Sequence, residues 1–233
     1  MKSILKKEMN QYFKNMAGYI FLAIFLVITG YYFTINNLLA QSNDVKEYFN
    51  TMIFTLLFLI PILTMRLFAE ERKSRTDQVL FTSPITILEI VLGKYLAACM
   101  VFLIGLMATL FYVITIGILG ELELFTVIGC YVGIIFATGC FIAMGIFVSS
   151  ITENQIVAAI LTYAILMGFY VVNLLAGYVN NPMIAVILDW LAIFRRFFDF
   201  TMGIFNPSAL FYYISLSVLF LFLTVCSVTR KRL

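Results

Sequence analysis

Histidine is absent from the 233-residue chain. With it go the imidazole acid–base pair, the His metal ligand and the imidazole pH switch. Charge is scarce too: Asp, Glu, Lys and Arg make up 12% of the residues, against about a quarter in soluble domains. Tryptophan occurs once and proline four times. The four cysteines, Cys99, Cys130, Cys140 and Cys226, all fall in apolar runs and form no C-x-x-C pair. They read as small hydrophobes rather than a disulfide or metal framework. What is abundant is apolar: 63% of residues are hydrophobic, 16% are aromatic, and mean hydropathy is +1.05. So little polar surface cannot cover a globule in water, which excludes a soluble enzyme. A formal net charge of +3 is too small to suggest a nucleic-acid partner.

A bilayer core about 30 Å thick needs about 20 apolar residues of helix. Six runs qualify: Gly18–Leu39, Thr51–Ala69, Lys94–Leu119, Phe125–Val148, Ile156–Gly177 and Ser208–Thr229. Strand alternation is missing, so a barrel is disfavoured. The predicted fold class is an all-α polytopic membrane protein with six transmembrane helices, one domain spanning residues 1–233. Span interiors are nearly free of charge, Arg66 excepted, and that residue is placed to snorkel from the end of the second span. With both termini on one side, that side holds 12 of the 15 basic residues with 6 acidic ones, and the other side holds 3 basic with 6 acidic. The positive-inside rule therefore predicts cytoplasmic termini in a cell membrane.

Residues 1–17 read as an interfacial amphipathic helix, with Leu5, Met9, Tyr12, Phe13 and Met16 on one face. The first apolar run is too long for the core of a cleavable leader. Three connections, Ala40–Asn50, Gly120–Leu124 and Ser149–Gln155, are short and expected only to reverse the chain. Residues 178–206 are apolar but interrupted by Asp189, Arg195, Arg196 and Asp199. These predict small amphipathic helices at the outer surface, with Arg195 and Asp199 paired at i,i+4 and Trp190 at the interface. Pro61 predicts a kink in the second span. Gly129, Gly133 and Ala137 form a small-residue stripe for close helix packing in the fourth.

The segment from Glu70 to Lys94 reads EERKSRTDQVLFTSPITILEIVLGK. Ser74 and Asp77 have the spacing of a capping box, opening a short helix over Arg75–Phe81. Thr82-Ser83-Pro84 then stops it and starts the next helix, with Ser83 as N-cap and Pro84 in the first turn. Val79, Leu80 and Phe81 leave an apolar patch, suited either to the lipid headgroups or to a docking partner. No carboxylate pair occupies a span centre, which weakens a proton- or sodium-coupled carrier. Gly93-Lys94 is not a phosphate loop, because Leu88 stands where that motif requires Gly. Any active transport therefore needs an engine in another subunit.

The block Arg66-Leu67-Phe68-Ala69-Glu70-Glu71-Arg72, continuing through Thr76, Leu80, Thr82-Ser83-Pro84, Glu89 and Gly93-Lys94, resembles the membrane permease subunit of ABC type-2 exporters. The likeness is to the branch with gliding-motility and bacteriocin- or copper-associated permeases. The architectural likeness covers the whole chain, and the motif likeness residues 61–94. It implies that residues 70–93 are a cytoplasmic coupling loop. Glu70, Glu71, Arg72, Arg75, Thr76, Asp77, Val79, Leu80, Phe81, Ser83 and Pro84 would then meet the ATPase. It further implies two separate ABC ATPase subunits holding ATP and Mg, no cofactor and no catalysis in this chain, and a second permease chain, identical or not, completing the path in the bilayer. Two other readings stay open: a ligand-capturing membrane subunit of an importer, and a non-transporting membrane scaffold. The cargo is not legible.

Overall fold

The computed structural model describes residues 2–74, 86–119, 123–176 and 182–232. The described residues form helices joined by short turns, with no strand among them. In chain order the helices are α1 (Lys2–Lys14), α2 (Ala17–Phe33) with a π-helical extension Thr34–Leu39, α3 (Lys46–Thr64), α4 (Arg66–Lys73) and α5 (Ile87–Leu119). They continue with α6 (Leu124–Ile151), α7 (Gln155–Ala176), α8 (Pro182–Leu191), α9 (Ile193–Thr201) and α10 (Pro207–Arg232). Six stretches are long and apolar enough to cross a membrane: Ala17–Leu39, Lys46–Lys73, Ile87–Ile118, Leu124–Ile151, Gln155–Ala176 and Pro207–Arg230. The protein is an all-α polytopic membrane protein.

All six expected spans are present, but two begin earlier than hydropathy suggests. The second starts at Lys46 rather than Thr51 and the third at Ile87 rather than Lys94. Hydropathy marks where a helix meets the hydrocarbon, whereas backbone hydrogen bonding carries the helix on through polar residues such as Glu47 and Asn50. The loop expected over Ala40–Asn50 is correspondingly shorter. Likewise Ser149 and Ser150 belong to α6. That leaves Thr152–Asn154 to turn the chain, with Asn154 Oδ1 accepting the Ile156 N–H at 2.9 Å to start α7.

The bundle is built around α6, which packs against α3, α4, α5, α7, α9 and α10. Most of α6 is buried inside the bundle, whereas most of α7 faces outward. Without a hydrophobic drive between helices in lipid, close packing depends on small residues, and α6 is rich in them. A Cβ added at Gly145 would lie 2.2 Å from Thr64 Oγ1, so α3 and α6 touch where only glycine fits. The stripe Gly129, Gly133 and Ala137 is buried as well, but what fills its groove is α9 rather than another span. A Cβ at Gly133 would meet the Phe200 ring at 2.9 Å and the Phe197 ring at 3.2 Å. Pro61 lies inside α3 and is buried; its carbonyl accepts from Met65 N at 3.0 Å, and the helix is interrupted at Met65, one turn later.

At the α9 end of the bundle the expected Arg195–Asp199 pair is not formed. Arg195 pairs with Asp189, and Asp199 accepts from Asn206 Nδ2 at 2.9 Å. The corner at Ala192 between α8 and α9 brings Asp189 to Arg195, and the turn before α10 brings Asn206 to Asp199. Arg196 stacks on Tyr212, 4.1 Å from the ring centroid. Trp190 is exposed and meets Tyr212 edge-on. All four cysteines are free thiols.

Candidate functional site

The opposite end of the bundle gathers α1, α4 and the first turns of α5. The break at Met65 leaves the first N–H groups of α4 without helical partners. Ser149 of α6 supplies one: its Oγ accepts from Phe68 N at 3.1 Å and Ala69 N at 3.2 Å, and donates to Met65 O at 3.1 Å. One hydroxyl thus caps α4 from another helix. The connection expected only to reverse the chain therefore holds α4 in place. Arg66 forms an i,i+4 fork to Glu70, Nε to Oε2 at 2.8 Å and Nη2 to Oε1 at 3.0 Å. At the other end of α4 the Ser74 hydroxyl donates to Glu70 O at 2.9 Å.

Lys94 lies at the centre of this region. It is about two helical turns past Ile87, and its side chain is 1% exposed. Its Nζ contacts Glu8 Oε1 at 2.9 Å, Glu71 Oε2 at 2.9 Å and Leu67 O at 2.6 Å, one acceptor for each ammonium proton. The Phe68 ring lies over it at 5.0 Å. Glu8 and Glu71 are buried alongside, and Lys7 reaches Glu71 Oε1 from the surface at 3.2 Å. A lone ammonium here would be prohibitive, and the pair is tolerable because every polar atom of Lys94 is matched.

Gly93 makes the approach possible. A Cβ there would meet Ile4 Cγ2 at 2.8 Å, so the glycine lets α1 lie directly on α5. Ile4, Glu8 and Tyr12, one turn apart, are the residues α1 buries. The expected stripe of Leu5, Met9, Tyr12, Phe13 and Met16 is therefore rotated: Leu5, Met9 and Phe13 are half-buried, and Met16 is 69% exposed. The helix aims a carboxylate at Lys94, a demand stronger than apolar contact. Burial pushes the Tyr12 hydroxyl well above its ordinary range, with Glu8 adding to the effect. It therefore remains a donor, to Leu63 O at 3.0 Å.

Of the residues expected at the coupling site, Glu70, Glu71 and Arg72 sit on α4, with Glu71 in the charge cluster. Arg75, Thr76, Asp77, Val79, Leu80, Phe81, Ser83 and Pro84 lie outside the described residues. Among the described residues the helix of the third span opens at Ile87, where Thr86 Oγ1 accepts from Glu89 N at 3.3 Å. Thr86 and Glu89 have capping-box spacing that went unread. Hydropathy places Lys94 at the start of the third span and does not pair it with Glu8. A lysine inside an apolar helix, with acidic residues available on the same side, was the signal.

On the far side, α3, α7 and α9 enclose a cleft of about 480 Å³ lined by Asn50, Phe54, Tyr170, Asn173 and Phe194 among others. Aromatic contacts run along it and beyond: Phe54 with Tyr170 at 5.3 Å, and Phe58 with Tyr163 at 5.2 Å between ring centroids.

A family profile described as ABC-2 family transporter protein matches residues 2–229. The chain belongs to the ABC-2 transporter family. It is thus a multi-pass permease subunit of an ABC transporter, a membrane subunit and not itself the catalyst, whose family works with an ABC ATPase. No curated protein matches the chain. The ABC-2 match takes in α1 as well as the six spans, so the charge cluster lies wholly within the family domain.

Proposed function

We propose that this ABC-2 chain is half of an ATP-driven exporter in the cell membrane, with both termini cytoplasmic. Residues 70–93 couple it to a separate ATPase. Two such chains, identical or not, enclose the path, and two ATPase subunits bind ATP and Mg. The reading belongs to the gliding-motility and bacteriocin-type branch. The observation that carries it is α4: a short helix capped by Ser149, forked by Arg66 and held by Lys94, leading directly into the segment 75–85. A segment meant to transmit force needs a rigid base, and this one has one.

The short helix expected over Arg75–Phe81 docks in the ATPase, with Val79, Leu80 and Phe81 as its apolar contact, Ser74 and Asp77 as its expected capping pair and Thr82-Ser83-Pro84 as its expected stop. Closure of the ATPase pair on ATP then pushes on α4 and α5. The second and fifth spans, whose Phe and Tyr side chains already interlock, form the wall of the path. A helix as little buried as α7 has apolar surface left for lipid or the second chain. An importer's ligand-capturing subunit or a scaffold would not need an ATPase-facing lever. The test is affinity purification of the tagged chain from its native membrane. The ATPase co-purifies with wild type and is lost, at least tenfold, from the variant carrying Val79→Asp and Leu80→Asp. An intact, ATP-hydrolysing complex in that variant overturns the coupling assignment.

A further inference from the structure

We propose that α1 is a working part of the coupling apparatus, with Lys94 the positioning residue that locks it to α4 and α5. A displacement of the coupling loop then carries α1 and the first span with it. The proposal rests on residues 70–93 being the ATPase-coupling loop, and it adds a second route from that loop into the membrane.

Three observations carry it. First, α1 is held to three elements by different contacts: Ile4 sits against Gly93 of α5, Glu8 and Lys7 reach Lys94 and Glu71, and Tyr12 donates to Leu63 O of α3. Second, Lys94 and Glu71 face each other across the base of the loop, at 2.9 Å, so both ends of the loop meet at the residue that also holds α1. Third, only Asn15 and Met16 separate α1 from α2, and Met16 has φ 57, so the chain turns within two residues and leaves little slack. Apolar contacts slide past one another at small cost. An ammonium matched by three acceptors in a dry site does not, because separation strands a buried charge. The cluster fixes the register of α1 on the loop, and α1 passes that register to α2. Lys7, half in solvent, follows Glu71 from outside.

Hydrogen exchange read by mass spectrometry in lipid nanodiscs tests this in two steps. In the chain alone, Lys94→Met raises exchange of residues 2–14 at least tenfold and leaves residues 207–230 unchanged. Unchanged exchange in 2–14 overturns the lock. In the complex with its co-purified ATPase, ATP with vanadate alters exchange of both 66–73 and 2–14 in wild type. With Glu8→Leu, which takes the α1 carboxylate from Lys94 and leaves Lys94 paired with Glu71, the ATPase stays bound and 66–73 still responds, but 2–14 does not. Tyr213→Phe, which removes a buried hydrogen bond to Ile193 O at the other end of the bundle, keeps the response of 2–14. A response of 2–14 persisting in Glu8→Leu overturns the proposal, as does its loss in Tyr213→Phe. If wild type retains no ATPase, the coupling reading fails on its own, and the chain-alone comparison still decides the lock.

Discussion

The hydroxyl of Ser149 serves three backbone groups of the segment 65–69. Ser149→Ala strands the buried Phe68 N–H and is expected to cost about 1–3 kcal/mol, read as a lowered midpoint in thermal unfolding of the detergent-solubilised chain. An unchanged midpoint would mean that α4 is capped by something else. Lys94→Met is the more severe change, since removing one partner of a buried ion pair typically costs about 3–5 kcal/mol. Adding Glu8→Met and Glu71→Met should recover much of the loss, because apolar groups of similar volume fill such sites well. The ion pair was not legible in the sequence for a physical reason. Hydropathy registers Lys94 as an edge of an apolar run, and only three-dimensional packing shows that the helix begins earlier and that its lysine points inward. The family likeness places Glu71 at the coupling site, but it does not reveal the partner of Glu71.

At the scale of the element, α9 lies in the groove along the stripe Gly129, Gly133 and Ala137 of α6. The stripe Gly129, Gly133 and Ala137 announced close packing, and spacing alone does not say which helix answers. Phe197 and Phe200 do. Gly133→Val forces the Phe200 ring out and is expected to cost about 1–3 kcal/mol. Trp190, on the adjoining helix and the chain's sole tryptophan, reports it through increased acrylamide quenching. Quenching equal to wild type would show that α9 does not depend on the groove. The same element shows where charge spacing misleads: Arg195 and Asp199 are suitably placed along one helix, yet each finds a partner across a corner. An i,i+4 pair is worth only a few tenths of a kcal/mol, too little to resist what the adjoining turns bring within reach.

Across the whole molecule, the spans, the all-α class and the membrane setting follow from where long apolar runs stop. That is the part of the fold written most redundantly in the sequence, because each span repeats the signal over about 20 residues. The proposed coupling loop is written in single residues, and so it is legible only as a block with a family likeness. Topology is open to direct measurement: cysteine introduced at Ser3 is expected to resist an impermeant thiol reagent added to intact cells, and one at Ser42 to react. The reverse pattern would place the coupling loop outside and away from ATP.

The central claim is that this chain is the membrane half of a two-part machine joined through residues 70–93. Native mass spectrometry of the complex released from membranes tests it most directly. The account predicts two permease chains, at 26.5 kDa for this one, with two ATPase subunits in wild type, and permease without ATPase when Val79 and Leu80 are changed to Asp. A chain that flies alone in wild type, or an ATPase that remains bound to the variant, would contradict it.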